Sequence, residues 1–419
     1  MFAYLALAVT IALCAFIALV LVADLCLIAV HLGRGTGKLA QERAALRTSM
    51  QQPPPSVCVQ LAVFNEAQVA AAIDSICALD WPRDRLEIMV LDDSSDDTRE
   101  IAAARIAHWR NRGVDVRHCW RAHRSGYKAG ALAEGFASSS AEYFAIFDVD
   151  YRPAPDFLTK TLAVLAAAPR GAFVQARLDY WNRDRNLLTR AQALQLDLYF
   201  AYEQTGRVWL GVPTPFNGTG AVWRRRAIEE AGGWRATSLL EDLDLSLRAF
   251  SKGWGGFHLA TVPVAGELPD TADVLVAQRR RWAAGTGQSF RGLPWRLARH
   301  LRADRAAVFA LLSLQHVGVA VAVPLALVAA LAVWLSSPDL GASAFGLVAA
   351  TVALLVALKS IGAALASRVL GRGVGRRFLV DLAAMWLMQA WLLPAQFRAQ
   401  LRGLTARRRL PFTRTPKRG

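Results

Sequence analysis

The chain has 419 residues, 54% of them hydrophobic, and a formal net charge of +16 at pH 7. Its mean hydropathy of +0.26 is high for a wholly water-soluble protein, and its length suits two or three domains. Much of the basic excess lies beside apolar segments, at 34–47, 279–305 and 368–419. Because this placement suits an anionic bilayer surface, we expect a membrane protein and no nucleic-acid partner.

The first predicted element is a transmembrane helix at 1–31. Residues 2–30 contain one charge, Asp24, and the apolar run reaches the ~20 residues needed to cross a bilayer. A cleaved signal peptide is the alternative, but no basic region precedes the run and no small-x-small site follows it. The basic residues lie after the run, in the segment 32–56 that we predict to be a linker. The positive-inside rule therefore places the N-terminus outside and the following domain in the cytosol.

Strands alternate with helices through much of the predicted globular domain, 57–268. The predicted strands are 57–64, 86–92, 114–120, 143–148 and 172–178, and the helices lie from 66 onward and at 97–111, 127–138 and 155–168. This order implies right-handed crossovers and a largely parallel sheet that is covered on both faces. The predicted fold class is therefore α/β, with ligands at the carboxyl ends of the strands.

Two of these strands end in neighbouring carboxylates. Strand 86–92 runs into Asp92 and Asp93, and strand 143–148 leads to Asp148 and Asp150. The first pair suits a ribose or a base edge, although capping of the next helix is an equal alternative. The second pair is repulsive unless a cation bridges it, and Mg²⁺ or Mn²⁺ that also holds phosphate oxygens resolves the repulsion.

Two further motifs of the globular domain carry charge. Lys128, in "RSGYKAGAL", lies at a helix start between small residues, where a lysine suits a phosphate group. An ordinary amphipathic helix is the alternative. Glu241 and Asp242 lie in the first turn of the helix 238–250, where acidic residues favour the helix dipole unless the site needs a general base.

The segment 269–305 is predicted to form interfacial amphipathic helices. Within it, "VAQRRRWAAG" places Gln278, Arg281 and Trp282 near one helical face. The run of arginines also suits lipid headgroups. A tryptophan beside an arginine equally suits the apolar floor of a sugar site.

Three apolar segments follow. Those at 306–335 and 339–366 are predicted to cross the bilayer. The segment 378–400 is predicted to be interfacial or transmembrane. A crossing would place the basic tail, 401–419, outside, so the interfacial alternative is preferred.

Taken together, these residues resemble the family-two glycosyltransferases of the cellulose-synthase-like branch. The motifs occur in the family's order: an acidic strand end, D-x-D, E-D and Q-x-x-R-W. Further similar segments are "VQLAVFNE", "LDWPRDR", "GYKAGAL", "FNGTGAVWRRRAIEEAGGW", "LRAFSKGW" and "GELP", within 57–290. They look like the plant cellulose-synthase-like A and C proteins, makers of mannan, glucomannan and xyloglucan β-1,4 backbones. The Ala/Arg-rich composition suggests a bacterial source.

The resemblance implies a glycosyltransferase A-type, Rossmann-like, mostly parallel sheet with transmembrane helices before and after it. It also implies roles for single residues. Asp92 or Asp93 and Asp148 would bind the nucleotide, Asp150 with Asp148 would coordinate the metal, and Lys128 would contact the phosphates. Asp242, beside Glu241, would be the general base, and Arg281 with Gln278 would stabilise the leaving diphosphate. The acceptor would be bound by Phe216, Asn217, Gly218 and Trp282.

The tail and one motif depart from the family pattern. Phe412, Thr415 and Lys417 are similar to the F-x-V-T-x-K gating loop of processive synthases, with Arg414 in place of the valine. A disordered basic tail is the alternative. Leu240 stands where the family usually has threonine before the E-D pair.

The implied function is an inverting β-glycosyltransferase of the inner (plasma) membrane, multi-pass, with a cytosolic catalytic domain. It would extend a β-linked, β-1,4 polysaccharide from UDP-glucose or GDP-mannose with Mg²⁺ or Mn²⁺. Two alternatives stay open: transfer of one sugar to a lipid, and an inactive scaffold subunit. A hydrolase with paired carboxylates is disfavoured. The expected partners are the nucleotide-sugar, a glycan or lipid acceptor, the bilayer, and further copies or accessory export subunits.

Overall fold

The structure, a computed structural model, describes residues 1–47, 53–236, 238–290 and 301–406. The described residues divide into two units. We call them the sheet unit, Thr36–Thr189 and Pro213–Asp270, and the helical unit, Met1–Gly35, Arg190–Val212 and the described residues from Thr271 onward.

The sheet unit contains strands and short helices. The strands are β1 (Val57–Val63), β2 (Leu86–Asp92), β3 (Val116–Trp120), β4 (Tyr143–Asp148), β5 (Tyr151–Arg152), β6 (Gly171–Tyr180), β7 (Ala221–Arg224) and β8 (Gly255–Gly266). The helices are α2 (Val69–Cys77), α3 (Thr98–Arg110), α4 (Tyr127–Ala137), α5 (Phe157–Ala166), α8 (Arg225–Glu230) and α9 (Glu241–Phe250).

Eight strands among the described residues form one sheet in the order β3-β2-β1-β4-β7-β6-β8-β5. The pairs β1–β2, β2–β3, β1–β4 and β6–β8 are parallel, whereas β7 is antiparallel to both β4 and β6, and β5 to β8. The alternating strands and helices correctly predict β1 to β4 and β6. The short antiparallel strand β7 and the last strands, β5 and β8, were not predicted.

An aromatic cluster fills the core where β7 joins the sheet. The rings of Phe173 and Trp223 lie 4.4 Å apart between centroids, and Phe216 lies 5.7 Å from Trp223. The Phe216 side chain is 1% exposed. In the structure this ring packs in the core, and the acceptor-binding role of Phe216 stays a prediction.

The helical unit is built from longer helices. They are α1 (Phe2–Ala45), α6 (Leu187–Asp197), a π-helical turn (Leu198–Gln204), α7 (Thr205–Leu210), α10 (Ala272–Phe290), α11 (Ala303–Ser336), α12 (Pro338–Val369) and α13 (Arg376–Thr405), and the ends of α1 and α6 reach into the sheet unit. Four helices of the described chain, α1, α11, α12 and α13, are long and apolar enough to cross a membrane by length and composition.

The first helix is longer than the predicted span 1–31. It continues to Ala45, through much of the predicted linker. Near its end, the Glu42 carboxylate accepts a hydrogen bond of 2.7 Å from the backbone N–H of Thr261, in β8 of the same unit. The end of α1 is thereby fastened to the sheet.

Polar side chains meet inside the helical unit. The Lys359 ammonium lies 2.9 Å from one oxygen of Asp24 and 2.9 Å from the amide oxygen of Gln315, and the amide of Gln315 donates to the other oxygen of Asp24. Asp24 is fully buried. This interhelical cluster joins α1, α11 and α12 and carries no net charge, since one anion faces one cation.

Candidate active site

The carboxyl ends of three parallel strands bring the two acidic motifs together. In the register of the sheet, Val63 pairs with Asp92 on one side of β1, and Ala62 pairs with Asp148 on the other. Both acidic strand ends therefore lie at one edge of the sheet, separated by the width of β1. This edge is where ligands bind in open α/β sheets.

Lys128 is the centre of a charged cluster at this edge. Its ammonium lies 2.6 Å from Oδ1 of Asp148, 3.9 Å from Oε1 of Glu241, and donates a hydrogen bond of 2.8 Å to the Gly218 carbonyl. Burial disfavours the ammonium, but the attraction of Asp148 and Glu241 outweighs it and raises the pKa of Lys128. Lys128 therefore stays charged at neutral pH.

The backbone before Lys128 is in an unusual conformation. Gly126 and Tyr127 both have positive φ, +72° and +52°. Positive φ is uncommon for a bulky residue such as tyrosine and tends to occur at functional sites. The turn begins α4, so it sets the direction in which Lys128 leaves the backbone.

A polar network supports the loop that Lys128 contacts. The backbone N–H of Asp148 donates to Thr219 Oγ1 (3.0 Å), and the amide of Gln175 donates to the Thr219 carbonyl (2.9 Å). The N–H of Asn217 donates to Oε1 of Gln175 (3.1 Å). The loop is thus bonded both to the end of β4 and to β6.

Gly218 lies between Lys128 and Asp242. Its φ is +85°, and a Cβ added there would lie 3.0 Å from Oδ2 of Asp242 and 3.6 Å from the Lys128 ammonium. Glycine is therefore required by both its conformation and its surroundings. Gly218 belongs to the cluster and Asn217 precedes it on the same loop, and the acceptor-binding role of both stays a prediction.

Asp242 has the properties expected of a general base. Oδ1 of Asp242 accepts a hydrogen bond of 2.7 Å from the N–H of Leu243, in the first turn of α9. Burial and repulsion by Glu241 raise the pKa of Asp242 to about 7, against the opposing attraction of Lys128. A carboxylate with a pKa near the working pH can accept a proton and release it again.

Asp92 and Asp93 have strong protein partners. Asp92 accepts from His118 Nε2 and from the N–H of Ser94, each at 2.8 Å. Burial opposes ionisation, but these bonds outweigh it and lower the pKa of Asp92. Asp93 makes a bidentate pair with Arg121, 2.7 Å at each oxygen. Both carboxylates are buried, so in the structure they bind protein groups at the end of β2.

Asp148 and Asp150 suit a divalent metal ion that is also coordinated by the phosphate oxygens of a bound substrate. Among the described residues, His, Cys, Asp and Glu side chains form no group of three or more that could hold a metal ion. Mg²⁺ and Mn²⁺ do not need such a cage, because they commonly use one or two carboxylates with substrate phosphates and water. Asp148, whose side chain is 31% exposed, and Asp150, two residues later, would provide two carboxylates of this kind.

The chain matches a known glycosyltransferase family. The family described as "Glycosyl transferase family group 2" matches residues 143–361, which is more than half of the chain. The chain belongs to this family. The predicted glycosyltransferase identity is thereby confirmed, and the match covers the D-x-D, E-D and Q-x-x-R-W motifs.

Two curated relatives of this glycosyltransferase come from plants. Glucomannan 4-beta-mannosyltransferase 9 of Arabidopsis thaliana is 40% identical over 248 residues, 58% of this chain and 46% of that protein. Glucomannan 4-beta-mannosyltransferase 1 of Oryza sativa subsp. japonica is 41% identical over 251 residues, which are 59% of this chain and 48% of that protein. The matched part of the chain spans about half the length of these relatives. The predicted resemblance to the plant cellulose-synthase-like proteins is confirmed.

A solved structure shares the fold. It is the mannosyltransferase PcManGT from Pyrobaculum calidifontis, in complex with GDP-Man and Mn²⁺, with a TM-score of 0.53 and 19% identity, covering 93% of this chain and 100% of that one. At this identity the likeness concerns the fold alone. It confirms the predicted α/β, glycosyltransferase A-type class. Long apolar helices precede and follow the strands of the sheet unit in the sequence.

The Q-x-x-R-W residues of the glycosyltransferase lie in the helical unit. Gln278, Arg281 and Trp282 belong to α10, where the guanidinium of Arg279 lies over the Trp282 ring at 4.7 Å. A Cβ at Gly287 of α10 would lie 2.7 Å from the Gln400 carbonyl of α13. The two helices thus pack closely through a glycine. The roles predicted for the motif residues stay predictions, and Phe412, Thr415 and Lys417 lie outside the described residues.

Several residues of the site were missed by sequence reasoning. His118, Arg121 and Gln175 bond to residues that the motifs did identify. His118 and Arg121 lie at the end of the predicted strand 114–120, the same sheet edge as the acidic residues. Their position on neighbouring strand ends was the available signal. Gln175 lies in the middle of a strand and offered none.

Proposed function

We propose that this chain is a membrane-embedded, metal-dependent, inverting mannosyltransferase that extends a β-1,4-linked polysaccharide from GDP-mannose. The choice of mannose over glucose is supported by the relatives, which are named as glucomannan mannosyltransferases. The four long apolar helices support insertion in a membrane. The basic residues that follow the apolar run of α1 support a location in the inner (plasma) membrane with the sheet unit in the cytosol.

One observation carries the proposal: Asp242, Glu241, Lys128 and Asp148 converge around Gly218. A base whose pKa is near 7 lies beside a permanent cation, at the sheet edge where nucleotides bind. Hydrolysis and binding alone do not require this combination. Transfer of a sugar from a diphosphate requires both a base for the acceptor and a cation for the leaving group.

The geometry supports a single displacement. An acceptor hydroxyl attacks the anomeric carbon, Asp242 accepts the hydroxyl proton, and the bond from that carbon to the diphosphate oxygen breaks with both electrons leaving on the diphosphate. Attack from the side opposite the leaving group turns an α-linked donor into a β-linked product. Base catalysis of this kind is typically worth roughly 10²–10⁴-fold in rate.

Other side chains hold the donor. Lys128 contacts the diphosphate, and Arg281 and Gln278 of α10 make further contacts with the nucleotide-sugar. The nucleobase and ribose lie toward Asp92 and Asp93. A Mg²⁺ or Mn²⁺ held by Asp148 and Asp150 would neutralise charge on the diphosphate. Asn217, Gly218 and Trp282 line the acceptor site.

The test is an assay on the purified full-length protein in lipid vesicles with Mn²⁺ or Mg²⁺. Radiolabelled GDP-mannose and UDP-glucose are supplied separately, and the products are divided into organic-soluble and ethanol-insoluble fractions. We expect insoluble label from GDP-mannose that a β-1,4-mannanase releases. Asp242→Asn serves as the inactive control and Asp244→Asn as the matched control, because Asp244 pairs with Arg248 at 2.8 Å on the same helix.

Other outcomes would replace the proposal. Label that appears only in the organic fraction would identify a glycolipid synthase. Insoluble label from UDP-glucose alone would change the donor. Absence of product from either donor, in the presence of glycan and lipid acceptors, would favour a scaffold subunit.

A further inference from the structure

Lys128 is bonded to the carboxylate that the proposed function assigns to the metal. The ammonium lies 2.6 Å from Oδ1 of Asp148, a distance at which the two form a charge-assisted hydrogen bond. The same side chain is predicted to contact the diphosphate. The Lys128 ammonium cannot bond to Asp148 and contact the diphosphate from the same position, because a divalent cation bound to Asp148 would repel it at this short distance.

The surroundings of Lys128 allow it to move. The ammonium is already bonded to the Gly218 carbonyl at 2.8 Å, and Oε1 of Glu241 lies 3.9 Å from it. A small rotation of the side chain can therefore take the ammonium away from Asp148 while it keeps a carbonyl and a second carboxylate nearby. The turn at Gly126 and Tyr127 sets the position of the backbone.

We propose that Lys128 is a placeholder cation, which neutralises Asp148 until the nucleotide-sugar brings a divalent metal and which then moves from Asp148 to the diphosphate. This inference rests on the proposed function, since it requires a metal and a diphosphate at the same site. It makes metal and nucleotide binding mutually dependent. The nucleotide removes the lysine from Asp148, and the metal neutralises the nucleotide.

The dependence has a thermodynamic consequence. If a nucleotide tightens metal binding, the metal tightens nucleotide binding by the same factor. Without Lys128, Asp148 is available to the metal whether or not a nucleotide is bound. The coupling between the two ligands should then be lost, although each still binds.

The experiment measures Mn²⁺ binding without turnover. Free Mn²⁺ is determined by electron paramagnetic resonance during titration of the full-length protein, with no nucleotide, with GDP and with UDP. Lys128→Met is compared with the wild type. The matched control is Lys160→Met, which removes a half-exposed lysine paired with Asp156 on α5. Asp148→Asn removes the shared carboxylate.

We expect Lys128→Met to bind Mn²⁺ about tenfold more tightly than the wild type without nucleotide, because a neighbouring positive charge has been removed. GDP should tighten Mn²⁺ binding about tenfold or more in the wild type and in Lys160→Met, and far less in Lys128→Met. Lys128→Arg, which keeps the charge, should bind Mn²⁺ as weakly as the wild type. Asp148→Asn should weaken binding under every condition.

Two results overturn the inference in different ways. Equal Mn²⁺ affinity of Lys128→Met and the wild type without nucleotide, with normal binding in the presence of GDP, would overturn the placeholder role alone. No Mn²⁺ binding by the wild type with GDP or UDP would overturn the metal assignment in the proposed function as well. If Lys128→Met does not retain a cooperative thermal transition, Lys128→Gln carries the same comparison.

Discussion

At the scale of single residues, the site is dominated by charges that modify one another. Glu241 repels Asp242, and Lys128 attracts Asp148, Glu241 and Asp242 within one cluster. Asp242 therefore has a pKa near 7 although it is close to a cation. This balance gives one carboxylate the properties of a base, while Asp148 beside it bonds to Lys128.

The first prediction concerns pH. Because the pKa of Asp242 is raised to about 7, the active, deprotonated form is lost as the pH falls through that value. We expect kcat/KM to decrease tenfold per pH unit below about pH 6.5 and to be constant above about pH 8. Steady-state assays from pH 5 to 9 measure this. A profile that is flat down to pH 5 would contradict the role of Asp242.

The raised pKa of Asp242 also predicts how Asp242→Asn changes the stability of the protein. A carboxylate with a raised pKa in the folded state favours folding when protonated, and this contribution is lost as the pH rises from about 4 to about 7. At pH 8 we therefore expect Asp242→Asn to have a Tm at least as high as the wild type, while kcat falls by roughly 10²–10⁴-fold. Thermal unfolding at pH 5 and pH 8 measures the difference in Tm between the variant and the wild type. A variant that was less stable than the wild type only at pH 8 would contradict the prediction.

Gly218 permits a second prediction at this scale. Gly218→Ala introduces both positive φ for a residue with a Cβ, which costs about 1–2 kcal/mol, and a close contact with Asp242. We expect kcat/KM to fall at least tenfold. The matched control is Gly233→Ala, because Gly233 also has positive φ, +68°, but no heavy atom lies within 4 Å of its added Cβ.

The control separates strain from contact. Gly233→Ala should lower Tm by a few degrees and leave kcat/KM nearly unchanged. Equal losses of activity in both variants would indicate that backbone strain alone explains the effect, and that the contact with Asp242 has no special part in it.

At the scale of elements, the polar cluster in the helical unit explains why α1 packs with α11 and α12. Asp24 is fully buried and faces Lys359 and Gln315. In an apolar environment such a pair is tolerated because its net charge is zero and its hydrogen bonds are made. Removing one partner leaves the other as an unpaired buried charge.

We therefore predict that Asp24→Asn destabilises the detergent-solubilised protein by about 3–5 kcal/mol. Combining Asp24→Lys with Lys359→Asp restores the pair and should recover more than half of the loss. Asp339→Asn is the matched control, because Asp339 is an exposed acid at the start of α12, the helix of Lys359. Equal Tm values for Asp24→Asn and the control would show that the ion pair contributes nothing.

Local elements were the easier part of the fold to predict. The strand 86–92 was predicted with its observed bounds, because the apolar run Ile88–Leu91 ends in two acidic residues. The strand β7 was missed, since four residues carry too little pattern to separate a strand from a loop. Its antiparallel pairing with β4 and β6 depends on neighbours that are distant in sequence.

At the scale of the whole molecule, a sheet unit is interrupted in sequence by a segment that belongs to the helical unit. Residues Arg190–Val212 lie between β6 and β7 in the chain but pack in the helical unit. There, Glu203 bonds to Arg207 at 2.8 Å and to His316 at 2.7 Å. The two units therefore cannot be separated by cutting the chain once.

The last prediction concerns the number of crossings. The helix α13 is long and apolar enough to span a bilayer, but the basic residues after it favour the cytosol. We expect a reporter fused after residue 419 to be cytosolic, with α13 interfacial. Paired alkaline phosphatase and green fluorescent protein fusions measure this, and phosphatase activity at the C-terminus would establish a fourth crossing instead.

The sequence by itself determined the α/β order, the apolar segments and the family, because these depend on local periodicity, composition and short motifs. Only the tertiary structure decided which charges meet. Asp24 and Lys359 are 335 residues apart, Lys128 bonds to Asp148, and Phe216 packs in the core. Contacts of this kind depend on how the whole chain packs. The pKa of Asp242 depends on them too, because burial and nearby charges are set by neighbours in space and not by neighbours in sequence.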